Sequence, residues 1–401
     1  MQQRRILIIV QNLPVPFDRR VWLECQALTS AGYRVAVVSP KGKNDLGYEV
    51  IDGVQIYRYR PYAPGGSKLS FVAEYAYSFL ATAWHTLKAR AKGGLRGGRF
   101  SVIQACNPPD IFWPIGLAFR LERTKFVFDH HDLCPELFLS RFEKPPALPY
   151  KGLLWLERRT FRTARQVMST NESYRQIAIE RGGKSPDDVT VVRTGPDPER
   201  LKRGPADQEL KRGHAYLAVY IGVMGPQDGV DIVIRAADII VREFGRDDIG
   251  FTLIGSGDSY DQLVALRDEL NLRDHVEFTG RAPDEQVIKI MSTADAGLSP
   301  DPKNPLNDVS TMNKTMEYMA FELPVVAFDL RETRVSAQDA AVYATPNDVH
   351  EYAKALVMLL DDEAARTQLG KIARARVEDE LAWSHQERAY LGVYQRLTAK
   401  N

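Results

Sequence analysis

Short runs of apolar, often β-branched residues recur along this chain, and each is bounded by turn residues and followed by a longer amphipathic stretch. The runs in the first half are 6–10, 34–40, 54–60, 101–106, 125–131, 166–170 and 189–195, and those in the second half are 216–225, 249–257, 275–280, 294–300 and 323–329. Runs that alternate with helical patterns in this way are typical of parallel sheets covered by helices on both faces. The sequence therefore predicts the α/β fold class.

The alternation occurs in two series, which indicates two domains. At 401 residues the chain is too long for one ordinary core, and the Pro- and charge-rich stretch 195–208 separates the two series. We predict two doubly wound, Rossmann-like domains, residues 1–200 and 201–382, and expect the last helix, from about 383 to 401, to cross back to the first domain. Ligands of such sheets bind at the carboxyl ends of the strands, so we expect the domains to face each other across a cleft.

The cysteines and the apolar stretches exclude several classes of protein. Cys25, Cys106 and Cys134 lie far apart, with no CxxC pair. This argues against a disulfide framework or a zinc site and fits a reducing compartment. The apolar run near the N-terminus is too short for a signal peptide, and no run reaches the length of about eighteen residues that a membrane span needs. We therefore expect a cytoplasmic protein.

Charge is unevenly distributed along the chain. Residues 1–200 contain 30 Lys and Arg against 19 Asp and Glu, a net charge of +11, whereas the remaining residues contain 23 against 33, a net charge of −10. Such asymmetry indicates an anionic partner for the first half. Its basic residues are not interleaved with aromatic stacking platforms, so we expect no nucleic acid. An anionic membrane surface or a lipid-linked phosphate fits better.

Two segments of the first half could form a membrane-binding surface. Residues 70–99 are aromatic and then basic, and residues 151–165 combine apolar residues with several arginines. Both could lay an apolar and cationic face on an anionic bilayer, which would make the protein peripheral on the inner face of the cytoplasmic membrane. The alternative is that they are two helices that cover the sheet and carry basic residues at their outer edges.

Glycine-containing turns follow three of the predicted strands in the second half. Gly222-x-x-Gly225, Gly255-x-Gly257 and Gly280 could each let backbone N–H groups approach a phosphate at a helix N-terminus. The sequence contains no complete GxGxxG and no Walker A motif, which disfavours NAD and P-loop nucleotides but is compatible with a nucleotide sugar. For each turn alone, the alternative is an ordinary connection between a strand and a helix.

The segment NKTMEYMAFELPVVAFD, residues 313–329, is predicted to begin as a short helix and to continue as a strand. An anion at the N-terminus of this helix would meet both the helix dipole and the ammonium group of Lys314. Glu317, one turn later, could accept two hydrogen bonds from a ribose diol. A diphosphate beside a ribose is a nucleoside diphosphate, so these two residues predict a nucleotide site. The alternative is a solvated pair on a helix surface.

Five stretches occur in a specific order along the chain, between residues 12 and 329: NLPVPFDRRVWLECQALTSAGYRVAVVSP, FDHHDLCPELF, VVRTGPDPERL, YIGVMGPQDGVDIVIRAA and NKTMEYMAFELPVVAFD. Together they resemble the retaining glycosyltransferases of family 4, which have the GT-B fold, and among these the bacterial enzymes that build O-antigen and exopolysaccharide repeats. The resemblance implies transfer of a sugar from a nucleoside-diphosphate sugar to an acceptor, here expected to be a lipid-linked saccharide.

The resemblance also implies which residues bind the donor. It makes Glu317 the ribose-binding member of the family's E-x7-E motif, whose first position is Val309 here. We therefore expect the loop before the helix to contact the donor through its backbone: Val309, Ser310, Thr311, Met312 and Asn313. Many family members grip the diphosphate with an Arg and a Lys, but the matching positions here are Val223 and Asp228. Since the leaving diphosphate needs positive charge, we expect Lys314 to supply it, with Arg193 or Arg281 as second candidates.

His131, in the stretch FDHHDL, corresponds to the family's donor-sugar histidine. We predict that it works at the reacting centre together with Lys314 and Glu317, and that His130 points into the packing. Acceptor contacts are predicted from the loops that follow two strands of the first domain: Asn12, Asp18, Arg19, Arg20 and Asn107. The alternative for Asp18 is a helix N-cap.

The sequence contains no D-x-D motif, so we expect no metal, and we expect no other cofactor. Retention without an enzyme nucleophile, which the resemblance implies, would need the donor phosphate to accept the proton of the acceptor. Three other functions stay open. They are a nucleotide-sugar 2-epimerase of the same fold, transfer to a small cytosolic acceptor, and a non-catalytic sugar-nucleotide-binding subunit.

Overall fold

The described part of the chain forms two units. The computed structural model describes residues 4–62, 68–93, 98–141 and 144–399. One unit comprises Met1–Thr194 together with Gln386–Asn401, and the other comprises Gly195–His385. Part of the predicted membrane-binding segment, residues 94–97, lies outside the described residues.

The first unit contains an eight-stranded sheet in the order β3-β4-β2-β1-β5-β6-β7-β8. Its strands are β1 (Arg5–Ile9), β2 (Arg34–Pro40), β3 (Tyr48–Ile51), β4 (Val54–Tyr59), β5 (Val102–Cys106), β6 (Lys125–His130), β7 (Gln166–Ser169) and β8 (Val189–Val191). Neighbouring strands are parallel except for β3, which pairs antiparallel with β4. The apolar pattern missed β3 because this edge strand alternates between exposed and half-buried residues.

One face of this sheet is covered by helices that share a single core. The helices that precede the second unit are α1 (Arg19–Ser30), α2 (Lys68–Lys92), α3 (Trp113–Phe119), α4 (Cys134–Ser140), α5 (Ala147–Thr163) and α6 (Glu172–Glu180). Strand residues Leu7 and Ile103 pack in one cluster with Ala89 of α2, Ile115 of α3 and Phe161 of α5. Because alternate strand residues point to opposite faces, α2, α3 and α5 lie on the same side of the sheet.

The second unit contains a six-stranded parallel sheet in the order β11-β10-β9-β12-β13-β14. Its strands are β9 (Tyr216–Val223), β10 (Ile249–Ser256), β11 (Val276–Gly280), β12 (Ala296–Ser299), β13 (Val325–Phe328) and β14 (Ala341–Ala344). Its helices are α7 (Val230–Arg242), α8 (Tyr260–Glu269), α9 (Asp284–Thr293), α10 (Asn313–Ala320), α11 (Arg331–Ala337), α12 (Val349–Asp361) and α13 (Glu363–Arg376). The strand order reverses between β9 and β12, and ligands of such sheets bind where the order reverses.

The last described helix, α14 (Trp383–Thr398), belongs mostly to the first unit. The hydroxyl groups of Tyr390 and Tyr394 both donate to Oε1 of Gln104 in β5, the first of them at 3.1 Å. Gln104 points to the face opposite Ile103, so α14 covers the side of the sheet away from α2 and α5. The predicted crossing of the last helix to the first domain is confirmed.

The Pro- and charge-rich stretch 195–208 is held along the second unit rather than free. The backbone N–H of Gly204 donates to Ser292 Oγ at 2.9 Å, and that of Asp207 donates to Thr293 Oγ1 at 2.9 Å. The guanidinium of Arg203 donates to Ala294 O at 3.2 Å. The first unit thus ends at Thr194, before the predicted boundary at residue 200. None of the described helices is long and apolar enough to cross a membrane.

Candidate functional site

The carboxyl ends of the parallel strands β9 and β10 approach so closely that only glycine fits there, and we call this region, with the residues that follow each strand, the glycine turn. Gly255 has a φ of +139°, and a Cβ added to it would lie 1.8 Å from the carbonyl oxygen of Gly222. A Cβ on Gly257 would lie 2.6 Å from the carbonyl oxygen of Met224. The backbone N–H of Gly225 donates to the side chain of Asp228 at 2.9 Å. The four predicted donor-site glycines therefore lie together at the strand-order reversal.

Lys314 lies directly beside this glycine turn. A Cβ on Gly222 would be 3.4 Å from Lys314 Cε, and Lys314 Nζ lies 5.1 Å from the centre of the Tyr220 ring. The ammonium donates to Asp301 Oδ1 at 2.5 Å, and both side chains are nearly buried. Burial alone would lower the pKa of Lys314, but the carboxylates of Asp301 and Asp228 outweigh it and raise the pKa above its ordinary value. The ammonium is therefore charged and is balanced by Asp301.

Asp301 is a residue that the sequence did not single out. It follows β12 directly, and its second carboxylate oxygen accepts a hydrogen bond from Ser299 at 2.8 Å. The hydroxyl of Ser299 also lies 3.1 Å from that of Thr315, the residue after Lys314. These contacts fix the start of α10 against the end of β12. The only sequence signal for them was the position of Asp301 just beyond an apolar run.

Helix α10 presents its N-terminus without a side-chain cap. Its N-cap residue is Met312, whose side chain makes no capping hydrogen bond. The first-turn N–H groups and the Lys314 ammonium therefore place positive charge at the same end of the helix. Asn313 is exposed there, and Glu317 is half-buried one turn along.

The loop before α10 is only partly available to a donor. The backbone N–H of Val309 donates to Leu306 O at 3.3 Å, and that of Ser310 donates to Asn307 O at 3.2 Å. The amides of Val309 and Ser310 thus already have partners inside the loop, and their predicted contact with the donor stays a prediction. Thr311 and Met312 are half-buried next to the helix start.

The two arginines predicted as second cations lie in different units. Arg281 is exposed after β11, and its Nε donates to Ser256 Oγ at 2.9 Å at the end of β10. Arg281 therefore belongs to the same turn region as the glycines. Arg193 lies in the first unit, where its backbone N–H donates to Gln386 Oε1 at 3.2 Å. Within the second unit, Lys314 and Arg281 are the predicted donor-site cations that the structure brings to this sheet edge.

In the first unit, His131 follows β6 and is held by two neighbours. Its Nδ1 lies 3.3 Å from Asp129 Oδ2, and its backbone N–H donates to Asn107 Oδ1 at 2.8 Å. Burial would lower the pKa of His131, but the hydrogen bond and charge of Asp129 outweigh burial and raise the pKa to about 9. Asp129 in turn accepts two hydrogen bonds from the guanidinium of Arg20. Sequence reasoning missed Asp129, although it stands two residues before the histidine that it orients.

Three residues predicted to bind the acceptor are engaged inside the first unit. Asp18 caps α1, since its side chain accepts from the N–H of Val21 at 3.1 Å, as the alternative interpretation had it. Arg20 is buried against Asp129. Asn107 is also buried, and its amide group donates to Asp132 O at 2.6 Å. Each of these side chains thus has an internal partner, and their predicted contacts with the acceptor stay a prediction.

The remaining predicted acceptor residues lie on the surface, while His130 is inside. Asn12 and Arg19 are exposed after β1 and at the start of α1. His130 is fully buried among aromatic rings, including those of Phe161 and Tyr174. Burial, with the nearby Arg181 and His131 charges, lowers the pKa of His130 to about 3, so the ring is neutral. The prediction that His130 points into the packing is confirmed.

One group of potential metal ligands occurs among the described residues. Ligand atoms of Glu24, Cys106 and Asp129 lie within 4.8 Å of one another. The guanidinium of Arg20 lies 2.7 Å from Asp129 and 3.3 Å from Glu24. Arg20 thus already supplies the positive charge at this cluster, and its chemistry does not call for a metal ion.

The sequence matches two family patterns, one in each unit. Residues 18–195 match the family described as glycosyl transferase 4-like domain, and residues 215–362 match the family described as glycosyl transferases group 1. Among curated proteins, the chain is 26% identical over 243 residues to D-inositol 3-phosphate glycosyltransferase of Nocardia farcinica, covering 57% of this chain and 52% of that protein. It is 25% identical over 236 residues to glycogen synthase of Mycobacterium tuberculosis, covering 58% and 54%. The chain thus spans about half the length of these relatives.

Solved structures resemble the whole chain. Sucrose-phosphate synthase from Thermosynechococcus elongatus superposes with a TM-score of 0.79 at 17% identity, covering 98% of this chain and 99% of that one. HepE from Anabaena, solved with UDP and glucose, gives 0.72 at 15% identity over 98% and 100%. WaaG, a glycosyltransferase involved in lipopolysaccharide biosynthesis, gives 0.72 at 17% identity over 98% and 100%. At these identities the likeness shows the fold alone.

Proposed function

The chain belongs to the glycosyltransferases of the group-1 and 4-like families, with the GT-B fold, and on that premise we propose that it transfers a sugar from a nucleoside-diphosphate sugar to an acceptor hydroxyl. One observation carries the proposal. The charged ammonium of Lys314 lies at the glycine turn of β9 and β10 and at the uncapped N-terminus of α10. This combination suits the diphosphate of a nucleotide, because backbone N–H groups and a fixed cation stabilise phosphate oxygens.

The transfer breaks the bond between the anomeric carbon and the phosphate oxygen and forms one to the acceptor oxygen. We propose that the configuration is retained, as the family resemblance implies, with the acceptor proton passing to the departing diphosphate and with no metal. The structure of HepE contains UDP and glucose, which supports a nucleoside-diphosphate sugar as the donor class. Proton NMR of the product's anomeric centre tests retention.

Calorimetry with a panel of nucleoside diphosphates and their sugars tests the donor site. We expect the nucleotides of one base to bind. We expect the nucleoside diphosphate to be released from its sugar only when an acceptor is added. Because ligand binding raises apparent stability, the same panel should raise the melting temperature. Isomerisation or hydrolysis of the donor without any acceptor would support the epimerase alternative instead. Donor binding without turnover on any acceptor would support a non-catalytic subunit.

Replacement of Glu317 by alanine should weaken nucleoside-diphosphate binding at least about tenfold without unfolding the chain. The loss of hydrogen bonds between a carboxylate and a ribose diol costs about 1.5–3 kcal/mol. Glu322→Gln, an exposed carboxylate just after α10, is the matched control. A 2′,3′-dideoxynucleoside diphosphate should bind the parent and Glu317→Ala equally. If the variant loses affinity for the dideoxy compound as strongly as for the normal one, Glu317 does not hold the diol.

For the acceptor, we propose a lipid-linked saccharide reached from an anionic membrane. Support comes from the face of the first unit covered by α2 and α5, which exposes large apolar side chains: Leu80, Trp84 and Leu87 on α2, and Leu148 and Trp155 on α5. Trp84 is 57% and Trp155 55% exposed, although such residues are usually buried. In the second unit, only Val223, Val335 and Met358 are large, apolar and exposed among the described residues.

Basic residues lie among these apolar side chains. Lys88 packs on the Trp84 ring, with Nζ 5.3 Å from its centre, and Arg159 lies over Trp113 at 4.9 Å. On α5, Lys151, Arg158 and Arg162 are exposed. Apolar and cationic side chains on one helical face are the combination that binds anionic bilayers. This face, the apolar-basic face of α2 and α5, is therefore our candidate for the membrane contact.

The triple variant Lys151→Gln, Arg158→Gln, Arg162→Gln should bind acidic phospholipid vesicles about 100-fold more weakly than the parent. Each basic residue near the surface contributes about 1 kcal/mol, and salt screens the attraction. Sedimentation with acidic and neutral vesicles measures the binding of the parent and of the variant. The matched control carries Lys202→Gln, Arg273→Gln and Lys289→Gln, three exposed residues of the second unit, and should bind like the parent. Equal binding of the parent to neutral and acidic vesicles would contradict the membrane contact.

A small cytosolic acceptor is the second candidate, and a specific observation favours it. Several curated relatives are named D-inositol 3-phosphate glycosyltransferase, and another is the 2-deoxystreptamine glucosyltransferase of Streptomyces kanamyceticus, 24% identical and covering 61% of this chain and 64% of that protein. Such names indicate small polyol acceptors for those proteins. Transfer to soluble polyols at a rate that vesicles do not change would favour this candidate.

A further inference from the structure

Two buried carboxyl groups of the first unit lie on α5 and on the turn before α3. Asp110 is in that turn and is 4% exposed, and Glu157 is in α5 and is fully buried. Thr160, three residues after Glu157 and on the same face of α5, donates its hydroxyl to Asp110 O at 3.0 Å. After burial, the charge of Glu157 is the strongest electrostatic influence on the carboxyl group of Asp110. The two carboxyl groups are therefore neighbours inside one core.

These carboxyl groups lack most of the hydrogen bonds that a buried charge needs. Among the residues that the structure describes, neither carboxylate oxygen of Asp110 has a hydrogen-bond partner, and neither has Oε2 of Glu157. Oε1 of Glu157 accepts from Nη2 of Arg181 at 2.7 Å. A buried charge without hydrogen bonds costs far more free energy than the neutral acid. Burial therefore favours the protonated form of both carboxyl groups.

The charges in contact with the pair lead to the same conclusion. Within the described part of the chain, Arg181 is the cation that donates to Glu157, and its Nη2 also donates to Glu136 in α4, at 3.1 Å. His130 lies 3.8 Å from Glu157, but its ring is neutral. One guanidinium is thus shared among three carboxyl groups. Asp110, which has no contact with it, and Glu157, which shares it, are the most deeply buried of the three.

The surroundings raise the pKa values of both groups. Burial, and then the charge of Glu157, raise the pKa of Asp110 to about 7. The side chains of Asn107 and Cys134 oppose this shift only in part. Burial also raises the pKa of Glu157 to about 7, against the effect of Arg181. The other charged or titratable groups that face the pair belong to α2, the loop after β6, α4 and α5: Tyr75, Asp132, Glu136 and Arg158.

We propose that Asp110 and Glu157 form a proton-binding pair, which stabilises the packing of the turn before α3 against α5 while both carboxyl groups are protonated and weakens it once they ionise. Two buried carboxylates repel each other, and the shared guanidinium cannot balance both. Because both pKa values lie above the ordinary ones, the folded unit holds protons that the unfolded chain has released. The stability of the first unit therefore falls as the pH rises from about 4 to about 7.

Infrared spectroscopy of the carboxyl C=O stretch tests the protonation directly. At pH 6 the parent should show about two more protonated carboxyl groups than Asp110→Asn/Glu157→Gln, and this signal should disappear as the pH rises through about 7. Glu24, whose pKa burial raises well above its ordinary value, contributes equally to both spectra. Glu172→Gln, which removes an exposed carboxylate of the same unit, should give the spectrum of the parent. If the parent and the double variant show the same signal at pH 6, the proposal is overturned.

Hydrogen exchange of the β6 amides tests the effect on stability. Between pH 5 and pH 8, the unfolding equilibrium constant of the first unit should rise at least about 100-fold more in the parent than in the double variant, whose amide side chains do not titrate. Mass spectrometry of β6 peptides, corrected for the intrinsic exchange rate, measures this rise, and β9 peptides of the second unit should show no difference between the two proteins. The single variants Asp110→Asn and Glu157→Gln should each show part of the effect. An unchanged pH dependence in both folded single variants overturns the proposal, whether or not the chain binds nucleotides.

Discussion

Replacement of Lys314 by methionine should lower the affinity for nucleoside diphosphates and their sugars by about 100-fold or more. Lys314 is the nearly buried cation at the β9–β10 glycine turn, and the positions that the family resemblance assigns to basic residues hold Val223 and Asp228. Each hydrogen bond to a charged group contributes about 1.5–3 kcal/mol, and an ammonium between two phosphates makes more than one. Calorimetric titration with the best nucleoside diphosphate measures the loss. Lys303→Met, an exposed lysine that precedes the same helix, is the control and should bind normally.

The single substitution also leaves Asp301 without its partner, so its effect on stability must be separated from its effect on binding. Removing one member of a buried ion pair costs about 3–5 kcal/mol. In the double variant Lys314→Met/Asp301→Asn the uncompensated charge is gone, and much of this stability should return. Donor affinity should stay low. If the double variant binds nucleoside diphosphate as tightly as the parent, Lys314 is not the phosphate-binding cation.

Replacement of His131 by alanine should reduce turnover at saturating donor by about 100- to 1000-fold, the usual effect of losing one donor to developing negative charge. The donor affinity should fall much less, because the nucleotide site that we propose lies at the β9–β10 glycine turn. Initial rates over a range of donor concentrations separate the two effects. A folded variant with near-normal turnover would return His131 to a structural role.

His130 offers a matched control for that experiment. It is the neighbouring histidine, but it is buried, neutral and surrounded by aromatic rings. His130→Phe keeps a planar aromatic ring at this position and removes two nitrogens that have no hydrogen-bond partner among the described residues. The variant should keep its turnover and be at least as stable as the parent, because an unsatisfied buried polar group is costly. A loss of turnover equal to that of His131→Ala would mean that the substitutions act through packing.

The main strands could be predicted because each buried strand of a parallel sheet needs a continuous apolar run. β2 was predicted residue for residue at 34–40. The two strands that escaped prediction, β3 and β14, lie at sheet edges. β3 alternates between exposed and half-buried positions, so its sequence lacks the continuous apolar run. β14 is apolar, with the sequence AVYA, but is only four residues long and has two half-buried positions.

The candidate site was predictable only as far as local sequence determines it. Glycine turns and the start of α10 depend on neighbouring residues, and the structure brings Gly222, Gly255 and Lys314 together. The partners of the charged groups, in contrast, are not determined by neighbouring residues. Asp129 and Arg20 form an ion pair although they are 109 residues apart in the sequence, and no local pattern predicts such a pair. For this reason Arg20 was assigned to the acceptor although it is buried in an ion pair.

Helix α14 also has a consequence for how the protein is made. The face of the first sheet that carries Gln104 is covered by Tyr390 and Tyr394, residues that are synthesised after the whole second unit. While the ribosome translates residues 195–385, the first unit cannot complete its folding. This face of its sheet is then exposed to water and to chaperones. The second unit, which uses no later segment, can close first. The order of folding is then the reverse of the order of synthesis. A chain truncated before residue 386 should have a folded second unit and a first unit whose exposed core proteases can attack.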